Sequence, residues 1–296
     1  MTTQRGNVYG FDRAFVWRVN SAGICTGQLD PVMPGTAPLT SHAYEINGPI
    51  SAELPAPTFG RFEFVGGGAY EGSADAGLQG LEEGSMQSSQ VDINLAILLA
   101  GGKLDTTTIT GGPIIWSTNE LNPSPHQVGL MLIRKVQSRV AATAGLVYYD
   151  TFLFPLVQMR LRGPNFSQEP GTNVGAATLS IVPQVGSRFP WGEAFGSNQD
   201  WYNNQNIWFG MRSQYPWHIT AFLQDGVEDS YTLQYLPVYD TITGGRANAI
   251  YAVNGVPTAP DTDGIDNETG VVTLAAAGSA GVWDTAFHQT QYLQAS

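Results

Sequence analysis

Alternation of apolar and polar positions runs through this chain from its first residues. In RAFVWRVNSAG, Phe15, Trp17 and Val19 fall on one side of an extended segment before Gly23 turns the chain, which predicts a strand. The Pro-rich DPVMPGTAPLTS follows as an irregular loop. AYEINGPISAELPAPTFGRFEFVGGG then resumes the alternation, with two strands flanking an NGP turn and Phe62 and Phe64 on the side opposite Arg61 and Glu63. SSQVDINLAILLAGGKLD fits two periods: Val91, Ile93, Leu95 and Ile97 alternate, while Ile93, Ile97 and Ala100 share a helical face that Gly101 and Gly102 could cap. The reading adopted is a strand followed by a short helix near residues 93–100. Residues 128–182 carry the longest apolar runs, VGLMLIRKVQSRV, GLVYYDTFLFPLVQMRLRG and AATLSIVPQVG, bounded by Gly or Pro as core strands of a sandwich would be.

Texture changes further along. The stretch from Trp191 to Trp217 holds four of the seven tryptophans among Asn and Gln, and is expected on a surface that becomes covered. Beyond YTLQYLPVYD the chain turns to Ala, Gly, Asp and Thr, with turn signals between short apolar runs. A boundary near 236 divides a β-sandwich domain (1–235) from a C-terminal β-hairpin module (236–296), which can also pack as a late part of the same domain. The fold class expected is mainly β: a sandwich with one short flanking α-helix and long loops or hairpins.

Charge changes this picture most. Only 13% of the 296 residues are charged, about half the roughly 25% usual in soluble domains. Lysine is nearly absent, two residues (Lys103, Lys135) against eleven arginines, and interfaces favour Arg and aromatics over Lys. Much of the surface is therefore expected to be buried against other chains. A net charge of −12 with no basic cluster argues against nucleic-acid binding, which draws on clustered Lys and Arg. Cys25 is the one cysteine and allows no internal disulfide; it reads as a small buried residue. The start shows no secretion signal, and INLAILLAGG is too short for the roughly 20 residues of a membrane span.

Candidate chemistry is sparse. GGGAYEG fails the dinucleotide pattern at Glu71, and AGGKLD fails the phosphate loop at Ile97 and Leu104. Glu82 and Glu83 are adjacent and would face opposite sides of a strand. His42, His126, His218 and His288 have no metal-ligand spacing and read as hydrogen-bonded or solvated side chains. Asp261, Asp263, Asp266 and Glu268 form the densest run of oxygen ligands, off the EF-hand spacing; a solvated acidic turn is the favoured reading over a cation site. Glycosylation tripeptides at Asn165 and Asn267 read as chance. No catalytic, cofactor-binding or metal-binding residue is assigned, no cofactor is expected, and the chain does not read as an enzyme.

Three further stretches carry a resemblance. GFDRAFVWRVN leading to DP, DINLAILLAGGKLDTTT, and YYDTFLFPLVQMRLRGPNF before ATLSIVPQV resemble the major tail tube proteins of long-tailed bacteriophages over about residues 8–190. GIDNETGVVTLAAAGSAG is similar to a hairpin module of phage tail proteins. The resemblance implies a tail-tube-like β-sandwich that self-assembles into hexameric rings, stacked into the virion tail tube. Subunits would be made in the host cytoplasm, meet other tail proteins at the tube ends, and let genomic DNA pass without specific binding. Under it, residues 60–85, with eight glycines, five carboxylates and one arginine, become an acidic hairpin or loop that docks on a neighbouring ring or faces the lumen; a solvated surface turn is the equal alternative. Other readings are a head decoration or tail-terminator protein, and a carbohydrate-binding sandwich using Trp201 and Trp208.

Overall fold

The computed structural model describes residues 6–19, 40–46, 49–55, 57–66, 69–88, 95, 99, 103–105, 115–117, 127–138, 145–162, 177–183, 208–227, 229–238, 249–253, 256–258, 266, 268–273, 279–281 and 283–294. Its long strands form where apolar residues fill both alternations. In Gly6–Arg18, Phe15 and Trp17 enter one buried cluster while Ala14 and Val16 enter a second. Gln127–Ser138 divides likewise, Met131 and Ile133 to the first cluster and Val128, Leu130 and Leu132 to the second. Val147–Arg162 sends Leu153 to the first and Phe154 and Met159 to the second. A strand covered on both faces shows no polar alternation, so these segments read as unbroken apolar runs. Gly129 is required by this packing: a Cβ there would lie 2.2 Å from the indole of buried Trp17.

All pairing among the described strands is antiparallel. The larger sheet runs Tyr44–Glu45, Gly6–Arg18, Gln127–Ser138, Val147–Arg162, Ala177–Pro183, Gly84–Ser88, Pro49–Glu53, with Phe209–Ser213 also paired to Val147–Arg162. Its two end strands are consecutive in the chain, separated by residues 46–48 alone. Six strand spacings of ~4.8 Å would hold the ends of a flat sheet ~29 Å apart, whereas the connecting chain reaches ~14 Å at most. The sheet therefore curls shut into a barrel. The segment 44–53 is its seam: Tyr44 pairs with Val16, the Ile46 N–H donates to the Ala14 carbonyl at 2.9 Å, and Ala52 pairs with Met86 on the other side. The expected strands on either side of the NGP turn exist but pair with different neighbours rather than with each other.

The second cluster fills the barrel interior, and two helical residues four apart, Leu95 and Leu99, are buried in it. They lie within the short helix expected near 93–100; Val91 and Ile93, with which the expected strand alternation begins, lie outside the described residues.

A six-stranded sheet packs on the barrel's outside, in the order Val256–Thr258, Ala249–Val253, Trp283–Gln294, Trp217–Leu223, Thr40–His42, with Tyr235–Pro237 also paired to Trp283–Gln294. The first cluster joins the layers, with Trp217, Ile219, Ala221 and Phe287 meeting Phe15, Trp17, Met131 and Leu153. Trp217 stacks on Phe287 with ring centroids 4.6 Å apart. A small ribbon, Ser230–Thr232 with Val271–Thr273, covers Phe222 and Ala286 through Tyr231, Leu233 and Val272. Segments from both sides of residue 236 thus share one sheet, with Trp283–Gln294 between Trp217–Leu223 and Ala249–Val253.

Candidate assembly surfaces

One large element stands apart from the two sheets. Pro57–Gly66 and Ala69–Leu81 form an antiparallel ribbon that pairs with no other described strand, and its only extensive contact with a described strand is within itself. Ten residues of strand extend ~34 Å at ~3.4 Å each. Register pairs Arg61 with Asp75, Phe62 with Ala74, Glu63 with Ser73 and Phe64 with Gly72, with shifts on either side of this run. An isolated two-stranded ribbon is marginal in water, so an element of this length gains most of its stability from what it docks against.

A second feature lies at the barrel rim. Arg134, Asp150 and Arg212 stand in register across three adjacent strands. Arg212 holds the Asp150 carboxylate with both oxygens, Nε to Oδ1 at 2.5 Å and Nη2 to Oδ2 at 2.8 Å, while Arg134 Nη2 reaches Oδ2 at 2.7 Å. Asp150 is buried and each arginine side chain is 36% exposed. Burial by itself raises the Asp150 pKa, but hydrogen bonds from Arg212 and then Arg134, with their charges, outweigh it and hold the carboxyl below its ordinary value. The ladder has two cations for one anion. Arg134 Nε, also buried, has no acceptor among the described residues. Arg134 lies 5.7 Å from the Phe152 ring centroid, and Trp208, 38% exposed, leans on Phe152 and Phe154. Next to it, Phe209–Ser213 pairs with Val147–Arg162 on one side and with no described strand on the other.

The remaining polar groups serve the fold. Arg13 lies 3.9 Å from the Tyr292 ring centroid and 3.5 Å from Glu45, tying the seam strand to the C-terminal strand. Burial raises the Glu45 carboxyl, partly offset by Arg13, and pushes the Tyr292 hydroxyl far above its ordinary value. Gln224 donates to buried Asp284 and accepts from the Tyr231 hydroxyl at 2.9 Å, stitching the small ribbon to the second sheet.

Several residues singled out in the sequence take other roles. Asp266 closes a tight turn: its Oδ1 accepts from the Glu268 and Thr269 amides and its Oδ2 from the Thr269 hydroxyl at 2.6 Å, with Gly270 at φ +71° completing the reversal. These hydrogen bonds lower its pKa, the Thr269 hydroxyl first. Asp261 and Asp263 lie outside the described residues, as do Cys25, His126, Trp191, Trp201, Asn165 and Asn267. His218 and His288 are not solvated: both are fully buried and face each other across paired strands, ring centroids 5.8 Å apart, with Phe15 and Tyr235 edge-on to His218. Trp217 is a core residue of its own chain, which corrects its placement on a surface awaiting cover. Glu82 and Glu83 are exposed at the ribbon's foot.

Among the described residues, no group of three or more His, Cys, Asp or Glu is placed to hold a metal ion, and no helix is long and apolar enough to cross a membrane. The Arg134–Asp150–Arg212 ladder left no mark in the sequence, because its members are 16 and 62 residues apart and meet only through register. Comparison with protein-family models and with curated protein sequences returned no match for the chain.

Proposed function

We propose that this chain is a structural subunit that assembles with copies of itself into stacked, hexameric rings, the tail tube of a long-tailed bacteriophage, and that its role is architectural rather than catalytic. The observation that carries the reading is the 57–81 ribbon: a long antiparallel element that pairs with no other described strand. Unpaired strand edges join other chains unless covered, and an ordered polymer covers them. The antiparallel two-layer body, low charge content and scarcity of lysine support the same reading, as does a net charge of −12, which favours a lumen that DNA slides through without sticking. Made in the host cytoplasm, the subunit would end in the virion tail with other tail proteins at the tube ends.

The test is electron microscopy of the purified full-length protein, alone and after seeding. Hollow cylinders of uniform width with a stacked-ring repeat are expected. In a variant with residues 58–80 replaced by a short Gly-Ser turn, a folded subunit that no longer elongates is expected. Single shells on capsids would point to a head decoration protein, and lone rings that never stack to a terminator; persistent monomers at millimolar concentration would refute the proposal.

A further inference from the structure

We propose that the far end of strand Trp283–Gln294, residues 291–294, is a latch over the barrel seam that opens and closes in the folded subunit, with Tyr292 as its bolt and Thr290 as its hinge. The latch belongs to the single subunit and does not depend on self-assembly.

The backbone points to it first. Between Asp284 and His288 the strand is paired on both sides, by Trp217–Leu223 and Ala249–Val253. Past Gln289 only Tyr235–Pro237 lies beside it among the described strands, and the register there is broken. Pro237 stands opposite Thr290 and Tyr235 opposite Gln294, so two steps along one strand face four along the other. The two extra residues make a bulge, a device that re-aims a side chain. Buried Thr290 anchors its near side. The Thr290 N–H donates to the Pro216 carbonyl at 2.9 Å, and its hydroxyl donates to the Leu236 carbonyl at 2.9 Å and accepts from the Tyr292 amide at 3.0 Å. The hydroxyl thus bridges the two strands in place of a direct ladder bond.

Tyr292 carries two costs. Its φ is +58°, which among the described residues puts it alone of the non-glycines in the left-handed region, where a bulky side chain is rarely found. Its hydroxyl oxygen is buried with no hydrogen-bond partner among the described residues, which opposes its burial. The setting of the ring offsets these costs. Arg13 lies 3.9 Å from its centroid, Phe15 stacks at 6.0 Å and Tyr235 meets it edge-on at 5.2 Å. Arg13 is in turn 3.5 Å from Glu45, which pairs with Phe15 where the seam joins the barrel. Swinging the ring out returns the hydroxyl to water and relaxes the backbone, but gives up the cation–π contact, the stacking and the apolar cover. Opposed terms therefore meet on one residue of a segment whose pairing is one-sided and interrupted, the condition for opening apart from the rest of the strand. Opening uncovers the side of Arg13 that Tyr292 covers, and with it the Arg13–Glu45 tie across the seam.

Native-state hydrogen exchange of the full-length protein at neutral pH tests the latch, read by mass spectrometry on peptides that separate residues 283–289 from 291–294. The 291–294 amides are expected to exchange about tenfold or more faster than those of 283–289, yet more slowly than in a short unfolded peptide of the same sequence. Tyr292→Phe keeps the ring and removes the orphan hydroxyl, so it should slow exchange of 291–294 about fivefold. Arg13→Gln should speed it by about as much while 283–289 stays at the wild-type rate. Tyr292→Gly accepts the positive φ but lacks the ring, and should bring 291–294 to the unprotected rate. Equal exchange in the two segments would overturn the proposal, because the strand end would then open only with the whole subunit. Wild-type exchange at the unfolded rate, unmoved by any variant, would show a frayed end and no latch. Tyr292→Phe that left exchange unchanged or speeded it would remove the hydroxyl from the balance and the proposal with it. Should Arg13→Gln or Tyr292→Gly fail to fold, the wild-type comparison and Tyr292→Phe, a change of one oxygen atom, still decide the matter.

Discussion

At the scale of single residues, Asp150 shows how much depends on a partner that sequence does not reveal. Its carboxylate is buried between Arg212 and Arg134, and their bonds hold its pKa below the ordinary value even though burial acts the other way. Asp150→Asn removes the charge and leaves two guanidiniums facing each other across a neutral amide. It is expected to cost about 2–3 kcal/mol in urea unfolding at pH 7, the range for hydrogen bonds to charged groups. The sign with pH follows from the depressed value. The carboxylate's contribution is fully present above the unfolded pKa of about 3.9 and is lost as pH falls through the lower folded one. The stability gap between wild type and variant should therefore be constant from neutral pH down to about 5 and shrink below about 4; a gap that widened with acid would contradict this account. Asp266 differs: its hydrogen-bond partners lie within three residues, so the tight turn it closes is a local feature of the chain.

At the scale of elements, what was legible depended on whether a segment's burial matched its own period. The apolar runs of Gln127–Ser138 and Val147–Arg162 announced core strands because both alternations are covered. The helix near 93–100 was legible as an apolar run ahead of Gly101 and Gly102, but the face read from the pattern was Ile93, Ile97 and Ala100, while the helical residues described in the core are Leu95 and Leu99. The Gly-rich 57–81 segment was ambiguous between loop and hairpin, because glycine weakens strand propensity and pattern alone sets no register. As a ribbon outside both sheets, it is expected to exchange its amide hydrogens orders of magnitude faster than Gln127–Ser138 in the isolated subunit, and to become protected on assembly. Hydrogen-exchange mass spectrometry of the two states measures both. Equal protection in the isolated subunit would mean that the ribbon is already docked on its own body.

At the scale of the whole molecule, a shortage of ions and an excess of negative charge act together. With a net charge of −12 and a sequence pI near 4.6, copies repel one another at neutral pH and lose that repulsion on acidification. Light scattering at fixed concentration is expected to rise steadily as pH drops from about 7 toward 4.6, and to fall back on return to neutrality as long as Asp150 stays ionised. Scattering that did not change over this range would remove like-charge repulsion as a control on association. The barrel itself is a whole-molecule property. Its seam, 44–53, looks in sequence like a short hairpin across NGP, and the bridge between Gly6–Arg18 and Gly84–Ser88 exists only once the other strands have set the distance.

By itself the amino-acid sequence determined the strand-rich character of the chain, its buried faces and its charge economy, because alternation, turn residues and ion counts are local or additive. Only the tertiary structure decided that the larger sheet closes on itself, that Trp217, His218 and His288 belong to the interior, that Arg134, Asp150 and Arg212 form a ladder, and that residues 57–81 form a ribbon paired with no other described strand. Each of these depends on strand register across large sequence separations. Register is fixed by the summed burial of many side chains at once, a quantity that no single stretch of chain contains.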